Sequence, residues 1–151
     1  MAVLVFANGM IEDVEWIRPY LSTPTAIIAA DGGTRHLRSL GQPPDIVVGD
    51  MDSLPGAVRG WLHGSNVTHL PYPRAKDETD LELALLYAAE QWPDAPILVF
   101  GAFGGRFDQT LANVLLLVHP QLADRQIELR TEYERVWLIV NGRGAIHGAC
   151  L

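Results

Sequence analysis

Short apolar runs alternate with segments of helical periodicity along most of the chain, and this alternation limits the fold more than any other feature. The runs that we predict as strands cover residues 2–7, 26–30, 45–48, 68–70 and 97–100. The predicted helices cover residues 11–21, 34–40, 54–62, 78–92 and 109–118. Strands that are apolar at nearly every position are typical of a parallel sheet covered by helices on both faces. The pattern therefore predicts an α/β domain of Rossmann-like type.

The pattern changes after about Leu122. Residues 126–131 and 136–140 are predicted strands, and Asn141-Gly142 is a typical hairpin turn that would lead into a returning strand at 143–151. Two or three strands are too few to form an independent β domain. We therefore expect a short antiparallel β-hairpin that either docks on the α/β core or begins a further module.

The composition excludes several classes of protein. The net charge of −7 argues against a nucleic-acid partner, and no apolar run of the 151 residues approaches the roughly 18 residues of a membrane span. Residues 1–6 lack the basic start of a signal peptide, and a single cysteine, Cys150, cannot form an internal disulfide. We expect a cytoplasmic protein with no nucleic-acid or membrane partner.

Glycines and polar residues follow directly after the predicted strands. These strand-end segments are Asn8-Gly9, Asp31-Gly32-Gly33, Gly49 to Ser53, and Gly101 with Gly104-Gly105-Arg106. In a parallel sheet all carboxyl ends lie along one edge, where the ligands of open α/β proteins bind. Glycines allow the backbone to approach a phosphate, and the helix N-termini that follow attract anions. The segments therefore predict one shared anion or nucleotide site.

Asp50 and Asp52 are the sharpest element of this predicted site. In extended backbone two such carboxylates would lie on the same side, roughly 6–7 Å apart, and would repel one another unless a cation lay between them. Mg²⁺ accepts one or two carboxylates and keeps positions for phosphate oxygens. The alternative is that Asp52 or Ser53 only caps the helix that begins near Leu54.

The segment Lys76 to Asp80 allows the same two interpretations. Asp77 is a good N-cap, and Asp80 lies three residues later, as in a capping box. The functional interpretation is that the first turn of the helix adds two carboxylates to the metal site, where the helix dipole keeps them ionised. Capping alone would also explain both residues.

Further polar residues follow the fourth apolar strand. Arg106 could bind phosphate oxygens or form an ordinary surface pair with Asp108, and Asn113 needs a polar partner if it is buried in its apolar helix. The five histidines have no metal-ligand spacing, so we predict no function for them. The chain contains no G-x-x-x-x-G-K-[ST] motif, which excludes a P-loop enzyme.

Together these segments resemble the thiamin pyrophosphokinase family. The match covers roughly residues 3–120 and rests on Gly49-Asp50-Met51-Asp52-Ser53, Lys76-Asp77-Glu78-Thr79-Asp80 and Gly104-Gly105-Arg106-Phe107-Asp108. Asn8-Gly9 and Asp31-Gly32-Gly33 precede them in the order of the family. Many bacterial members have His after the third motif, whereas Gln109 resembles the eukaryotic form.

The resemblance implies transfer of pyrophosphate from ATP to the hydroxyl of thiamin, giving thiamin diphosphate and AMP. It implies Mg²⁺ held by Asp50, Asp52 and Asp80, and catalytic roles for Asp80, Arg106 and Asp77, the last as the base that takes the hydroxyl proton. The residues implied in nucleotide binding are Asn8, Gly9, Asp31, Gly32, Gly33, Gly104, Gly105, Arg106, Asp108 and Gln109.

The resemblance also implies a domain organisation. Residues 1–122 correspond to the catalytic domain, and 123–151 resemble only the opening strands of a C-terminal β-sandwich that helps the family to bind thiamin, commonly across a homodimer interface. Two alternatives stay open. One is a pyrophosphokinase for another heterocyclic alcohol, such as a hydroxymethylpterin, and the other is a nucleotide-binding remnant without turnover.

Overall fold

The fold is built on a single seven-stranded sheet. The computed structural model describes residues 1–51, 54–72 and 77–139. The strands are β1 (Val3–Phe6), β2 (Ala26–Ala30), β3 (Ile46–Val48), β4 (Thr68–Leu70), β5 (Ile97–Phe100), β6 (Ile127–Arg130) and β7 (Arg135–Trp137). They lie in the order β4-β3-β2-β1-β5-β6-β7. All neighbours are parallel except β6 and β7, which confirms the predicted α/β sheet with an antiparallel hairpin at its end.

Helices connect the parallel strands. They are α1 (Thr34–Leu40), α2 (Gly56–His63), α3 (Asp80–Gln91) and α4 (Phe107–Leu115), with 3₁₀ helices at Glu15–Leu21, Asp31–Gly33 and Leu116–Val118. The helix predicted at 11–21 is therefore a shorter 3₁₀ helix that contains Pro19. Proline lacks the N–H that a continuous α-helix requires at that position, which explains the difference.

Each face of the sheet packs against its own set of helices. On one face Val3, Val5 and Val99 form a core with Leu81 and Leu85 of α3. On the other face the buried core includes Leu4, Phe6, Leu37, Val58 and Phe100. Alternating residues of β1 face opposite sides of the sheet, and both sets are buried because helices cover the strand on both sides. This arrangement accounts for strands that are apolar throughout.

The C-terminal strands extend the same sheet. Ile127 of β6 pairs with Ile97 of β5, and Val136 of β7 pairs with Leu129. Over the described residues the hairpin therefore docks on the α/β core. The predicted turn at Asn141-Gly142, the strand at 143–151 and Cys150 lie outside the described residues, and the division at residue 122 stays a prediction. Among the described residues, no helix combines the length and apolar composition that a membrane span requires.

Candidate active site

A cavity of about 510 Å³ opens at the carboxyl ends of β1, β2 and β5. The connection that follows β1 leads to β2 on one side, whereas the connection that follows β5 leads to β6 on the other, so the direction of the connections reverses between β1 and β5. Such a switch point is where open α/β sheets bind ligands. The predicted site residues that line the cavity are Asn8, Gly9, Asp31, Asp80, Gly104, Gly105, Arg106 and Gln109, and Asn113 lines it with them.

Gly9 forms the floor between the ends of β1 and β5. Its N–H donates to the carbonyl of Gly101 over 2.7 Å. A Cβ at this position would lie 2.1 Å from the carbonyl oxygen of Phe103 and 2.3 Å from that of Gly101. Both obstacles are backbone atoms, so only glycine allows the two loops to approach this closely.

Two side chains of α1 hold the loop that carries Gly9. The Arg35 guanidinium donates to the carbonyls of Asn8 and Gly9, at 2.7 and 3.0 Å. Nε2 of His36 lies 2.8 Å from the same Gly9 carbonyl and must carry the proton, because a carbonyl only accepts. Burial lowers the pKa of His36, and the nearby Arg35 charge lowers it further against the opposing effect of the Gly9 bond.

His69 has the same role at the end of β3, where its Nε2 donates to the Gly49 carbonyl over 2.8 Å. We predicted no function for the histidines from the sequence, and the residue spacing contains no signal for either contact. His36 is 27 residues from Gly9 along the chain, and His69 is 20 residues from Gly49. The fold alone brings these pairs together.

Asp31 begins the turn after β2 in an unusual conformation. Its φ of 44° is positive, and among the described residues it is the only non-glycine with a positive φ. Asp tolerates this region better than most residues, and such conformations cluster at functional sites. Gly32 and Gly33 do not line the cavity. A Cβ at Gly33 would lie 1.9 Å from the carbonyl oxygen of Phe6, so Gly33 permits close packing beneath the site.

α3 brings Asp80 to the cavity. The Thr79 hydroxyl accepts from the N–H of Glu82 over 3.1 Å and is the N-cap, so the expectation that Asp77 caps this helix is wrong. The Asp80 carboxylate lies against Gly49, where a Cβ would come within 3.0 Å of it. It therefore reaches the residue before Asp50, which brings the two predicted metal-binding segments together. Asp52, the third predicted metal ligand, lies outside the described residues.

The charges of the cavity lining determine what it can accept. Among the described residues, the lining includes the carboxylates of Asp31, Glu78 and Asp80 and the guanidinium of Arg106. Carboxylate oxygens are suitable ligands for a hard divalent cation, which would carry positive charge to a polyphosphate bound beside them. Within the described ranges, no three His, Cys, Asp or Glu side chains are close enough to hold a metal ion together.

Arg106 precedes the first residue of α4 and is held by Asp108. Its Nε donates to Oδ1 over 3.0 Å and its Nη2 to Oδ2 over 2.5 Å. The bond from Arg106 lowers the pKa of Asp108, and the same bond raises the pKa of Arg106. Because both side chains are largely exposed, the pair directs the guanidinium more than it stabilises the fold.

Asn113 attaches α4 to the loop that follows β5. Its Nδ2 donates to the carbonyl of Ala102 over 2.7 Å, and its Oδ1 accepts from Gln109 over 3.5 Å. The side chain is buried, so the expectation that it needs a polar partner is confirmed. Thr110 and Glu78 also line the cavity and were not predicted from the sequence.

The remaining predicted residues lie outside the cavity lining. These are Asp50, Asp77, Gly32, Gly33 and Asp108. Asp77 is exposed at the turn before α3, and Asp108 accepts hydrogen bonds from two residues of the lining, Arg106 and Gln109. Their proposed roles stay predictions.

Comparison with known proteins gives a consistent family. Residues 17–129 match the family model described as "Thiamin pyrophosphokinase, catalytic domain". A thiamine pyrophosphokinase of Bacillus subtilis is 39% identical over 138 residues, which are 91% of this chain and 64% of that protein. The crystal structure of thiamine pyrophosphokinase from Bacillus subtilis superposes with a TM-score of 0.77 at 31% identity, covering 91% of this chain and 63% of the other.

A second crystal structure, of a thiamin pyrophosphokinase family protein from Enterococcus faecalis, has a TM-score of 0.74 at 34% identity and covers 86% of this chain and 61% of that one. The chain thus spans somewhat less than two thirds of the length of these relatives. Over the segment that carries the cavity, the chain is similar to these relatives both in sequence and in fold. By its catalytic domain, this chain belongs to the thiamin pyrophosphokinase family.

Proposed function

We propose that the chain transfers pyrophosphate from ATP to the hydroxyl of thiamin, with Mg²⁺, to give thiamin diphosphate and AMP. The observation that carries this proposal is the cavity at the switch point, because residues of separate family motifs meet there. Asn8-Gly9, Asp31, Asp80 and the segment 104–106 come from four places in the sequence and line one space. Membership of the family supplies the reaction and its substrates.

In this proposal the glycine segments and Arg106 hold the phosphates. Gly104 and Gly105 have positive φ values of 85° and 96°, which glycine adopts readily, and neither residue has a side chain that would separate the loop from a ligand. α4 begins immediately after this loop, at Phe107, so its first N–H groups add partial positive charge near the same space. These groups would stabilise the charge that develops on the phosphate oxygens.

The carboxylates would hold the metal ion. Asp80 lies against Gly49, so Asp50 and Asp52, which follow Gly49 in the chain, are the natural further ligands. When bound, Mg²⁺ supplies positive charge to the phosphate oxygens. All three donors are hard oxygens, which is the donor set that Mg²⁺ prefers.

The acceptor hydroxyl would attack the β-phosphorus. A bond forms between that oxygen and the β-phosphorus, the bond from the β-phosphorus to the oxygen shared with the α-phosphate breaks, and AMP leaves. We propose Asp77 as the base that takes the hydroxyl proton. It is exposed beside Glu78, whose own side chain lines the cavity.

Product analysis tests this function directly. The chain is incubated with ATP, MgCl₂ and a high concentration of thiamin, and AMP and thiamin diphosphate are measured by chromatography. Equal amounts of both products support the proposal, whereas ADP with thiamin monophosphate would indicate an ordinary kinase. AMP only with a hydroxymethylpterin would favour the pterin alternative, and neither product with retained Mg-ATP binding would favour the remnant.

Asp80→Asn tests the metal assignment. Loss of one anionic ligand should weaken Mg²⁺-dependent ATP binding by at least about tenfold, because mutation of residues that only hydrogen-bond to a metal ligand already lowers metal affinity by about this factor. The melting temperature should stay close to that of the parent, because Thr79 rather than Asp80 caps α3. Asp94→Asn, which removes an exposed carboxylate outside the cavity lining, is the matched control. A lowered melting temperature with unchanged ATP affinity would instead assign Asp80 to the fold.

We also propose that the protein forms a homodimer and acts in the cytoplasm. Support for association comes from an exposed apolar row along α4 and the 3₁₀ turn after it, formed by Phe107, Leu111, Leu115 and Val118. Exposed rows of this kind commonly mark interaction surfaces. Sedimentation at several protein concentrations tests the dimer, and a monomer at every concentration would contradict it.

A further inference from the structure

A second cavity, of about 290 Å³, opens beside the candidate active site, and we call it the side cavity. Its apolar walls are formed by Ile11, Trp16 and Phe103, and the largely exposed side chains of Met10 and Tyr133 lie at its rim. None of the family motifs quoted above accounts for these residues. The residues that line the side cavity therefore need a separate explanation.

The side cavity and the active-site cavity are neighbours, because Gly104 lines both of them. A Cβ on Gly104 would lie 2.9 Å from Cβ of Met10, so these two residues are in direct contact and form the partition. A molecule in the side cavity would thus contact Gly104, the first residue of the segment 104–106 that we propose to hold the phosphates.

The inner wall of the side cavity is rigid and aromatic. The Trp16 ring packs edge-on against Phe100, with centroids 5.5 Å apart, and against Tyr20 at 6.3 Å. Phe100 is fully buried, so these contacts anchor the indole from behind. A fixed aromatic surface of this kind suits a flat ring, and more so a ring that carries positive charge.

The rim of the side cavity is acidic. Glu12 and Asp13 come from the segment after β1, and Glu132 comes from the turn between β6 and β7. Of the described residues that line the cavity, only Arg130 is positively charged. Its guanidinium is already bound to Glu128 and to the Tyr20 hydroxyl, and its side chain is nearly buried.

The phenol of Tyr133 reports the same negative field. Its pKa is raised most by a hydrogen bond with Glu132, then by the charge of Glu132 and by burial, and least by the charges of Asp13 and Glu12. Carboxylates from two distant segments therefore act on one point of the rim. A polyanion such as a nucleotide would be repelled here, whereas a cation would be attracted.

We propose that the side cavity binds a small, flat organic cation. The aromatic wall supplies stacking, the three carboxylates supply charge complementarity, and the volume fits a single ring with its substituents. In the proposed reaction such a cation is either the acceptor alcohol, whose thiazolium ring has this chemistry, or a separate effector. Both sources share the same recognition, and the experiment separates them.

Binding is measured first without nucleotide, by calorimetry, with 1-methylnicotinamide as the cation and nicotinamide as its neutral counterpart. The cation should bind at least about fivefold more tightly, and the difference should shrink at high salt. In the double variant Glu12→Gln, Glu132→Gln the preference for the cation should disappear. Glu90→Gln, which removes an exposed carboxylate on α3 that does not line the side cavity, should retain it.

Equal affinity for the two probes, or an unchanged preference in the double variant, would overturn the proposal. Competition then identifies the source. If thiamin displaces the probe, the side cavity holds the acceptor; if thiamin and the probe bind together, it holds an effector. The identification of the bound cation rests on the proposed function, but the side-cavity proposal and the proposed function can fail separately. Charge-selective probe binding without AMP formation refutes only the function, and AMP formation without charge-selective binding refutes only the side cavity.

Discussion

Replacing Asn113 by Leu tests whether one buried hydrogen bond holds the loop after β5, which includes the segment 104–106, to α4. Asn113 is 5% exposed, and its side chain donates over 2.7 Å to the carbonyl of Ala102, a residue that is 2% exposed. Leu has the same number of side-chain heavy atoms and the same branching but no donor, so the Ala102 carbonyl would be left buried without this partner. Ala102 lies between β5 and the segment that begins at Gly104.

The expected cost follows from the unsatisfied acceptor. Leaving a buried polar group without its partner costs about 1–3 kcal/mol. For a domain of this size each kcal/mol lowers the melting temperature by about 2–4 °C, so a decrease of about 2–12 °C is expected. ATP affinity should fall as well, because α4 and the loop at 104–106 would no longer be held in one arrangement.

Chemical denaturation followed by circular dichroism measures the free energy of unfolding, and titration calorimetry measures ATP binding. Gln109→Leu is the matched control, since it removes only the longer bond of 3.5 Å to Asn113 and leaves the bond to Ala102 intact. The free energy of unfolding of Gln109→Leu should fall by less than about 0.5 kcal/mol, as for most surface substitutions. An Asn113→Leu variant as stable as the parent, or no less stable than Gln109→Leu, would refute the reasoning.

Two further predictions concern the loop after β1. Gly9→Ala places a Cβ 2.1 Å from the Phe103 carbonyl oxygen, so it should lower the free energy of unfolding by at least about 2 kcal/mol in a denaturant titration. Gly60→Ala is the control, because it lies inside α2 with no atom within 4 Å of the added Cβ, and it should raise the free energy of unfolding by roughly 1 kcal/mol. Because the pKa of His36 is lowered from 6.5, its stabilisation is present above pH 6.5 and is lost as the pH falls through the lowered value. The melting temperature of the parent should therefore fall relative to that of His36→Gln between about pH 7 and about pH 5, and a constant difference would contradict this assignment.

The sequence predicts the strands well because burial on both faces leaves an unambiguous pattern. β2 and β5 coincide with the predicted runs, and β4 was found despite its exposed residues. Helix starts were less accurate. α3 begins at Asp80 rather than near Glu78, because Asp77 and Thr79 are both good N-caps and the sequence does not say which side chain reaches the free N–H of Glu82.

Contacts between distant segments could not be predicted. Arg35 and His36 lie on the first helix after β2, and nothing in their local sequence identifies the Gly9 carbonyl as their partner. The same applies to the Asp80 carboxylate against Gly49. Both contacts depend on how helices lie across the sheet, which is a property of tertiary packing rather than of local pattern.

The strand order explains which parts of the predicted site come together. A parallel sheet places every carboxyl end on one edge, but the sequence does not tell which ends are neighbours. In the order β3-β2-β1-β5, the end of β3 is three strand spacings, roughly 14 Å, from that of β5. Asp50 accordingly lies outside the cavity lining, whereas Asp80 both lines the cavity and touches Gly49. The first turn of α3 therefore connects the acidic motif after β3 with the segment 104–106 after β5, so the metal site that we propose depends on where that helix begins.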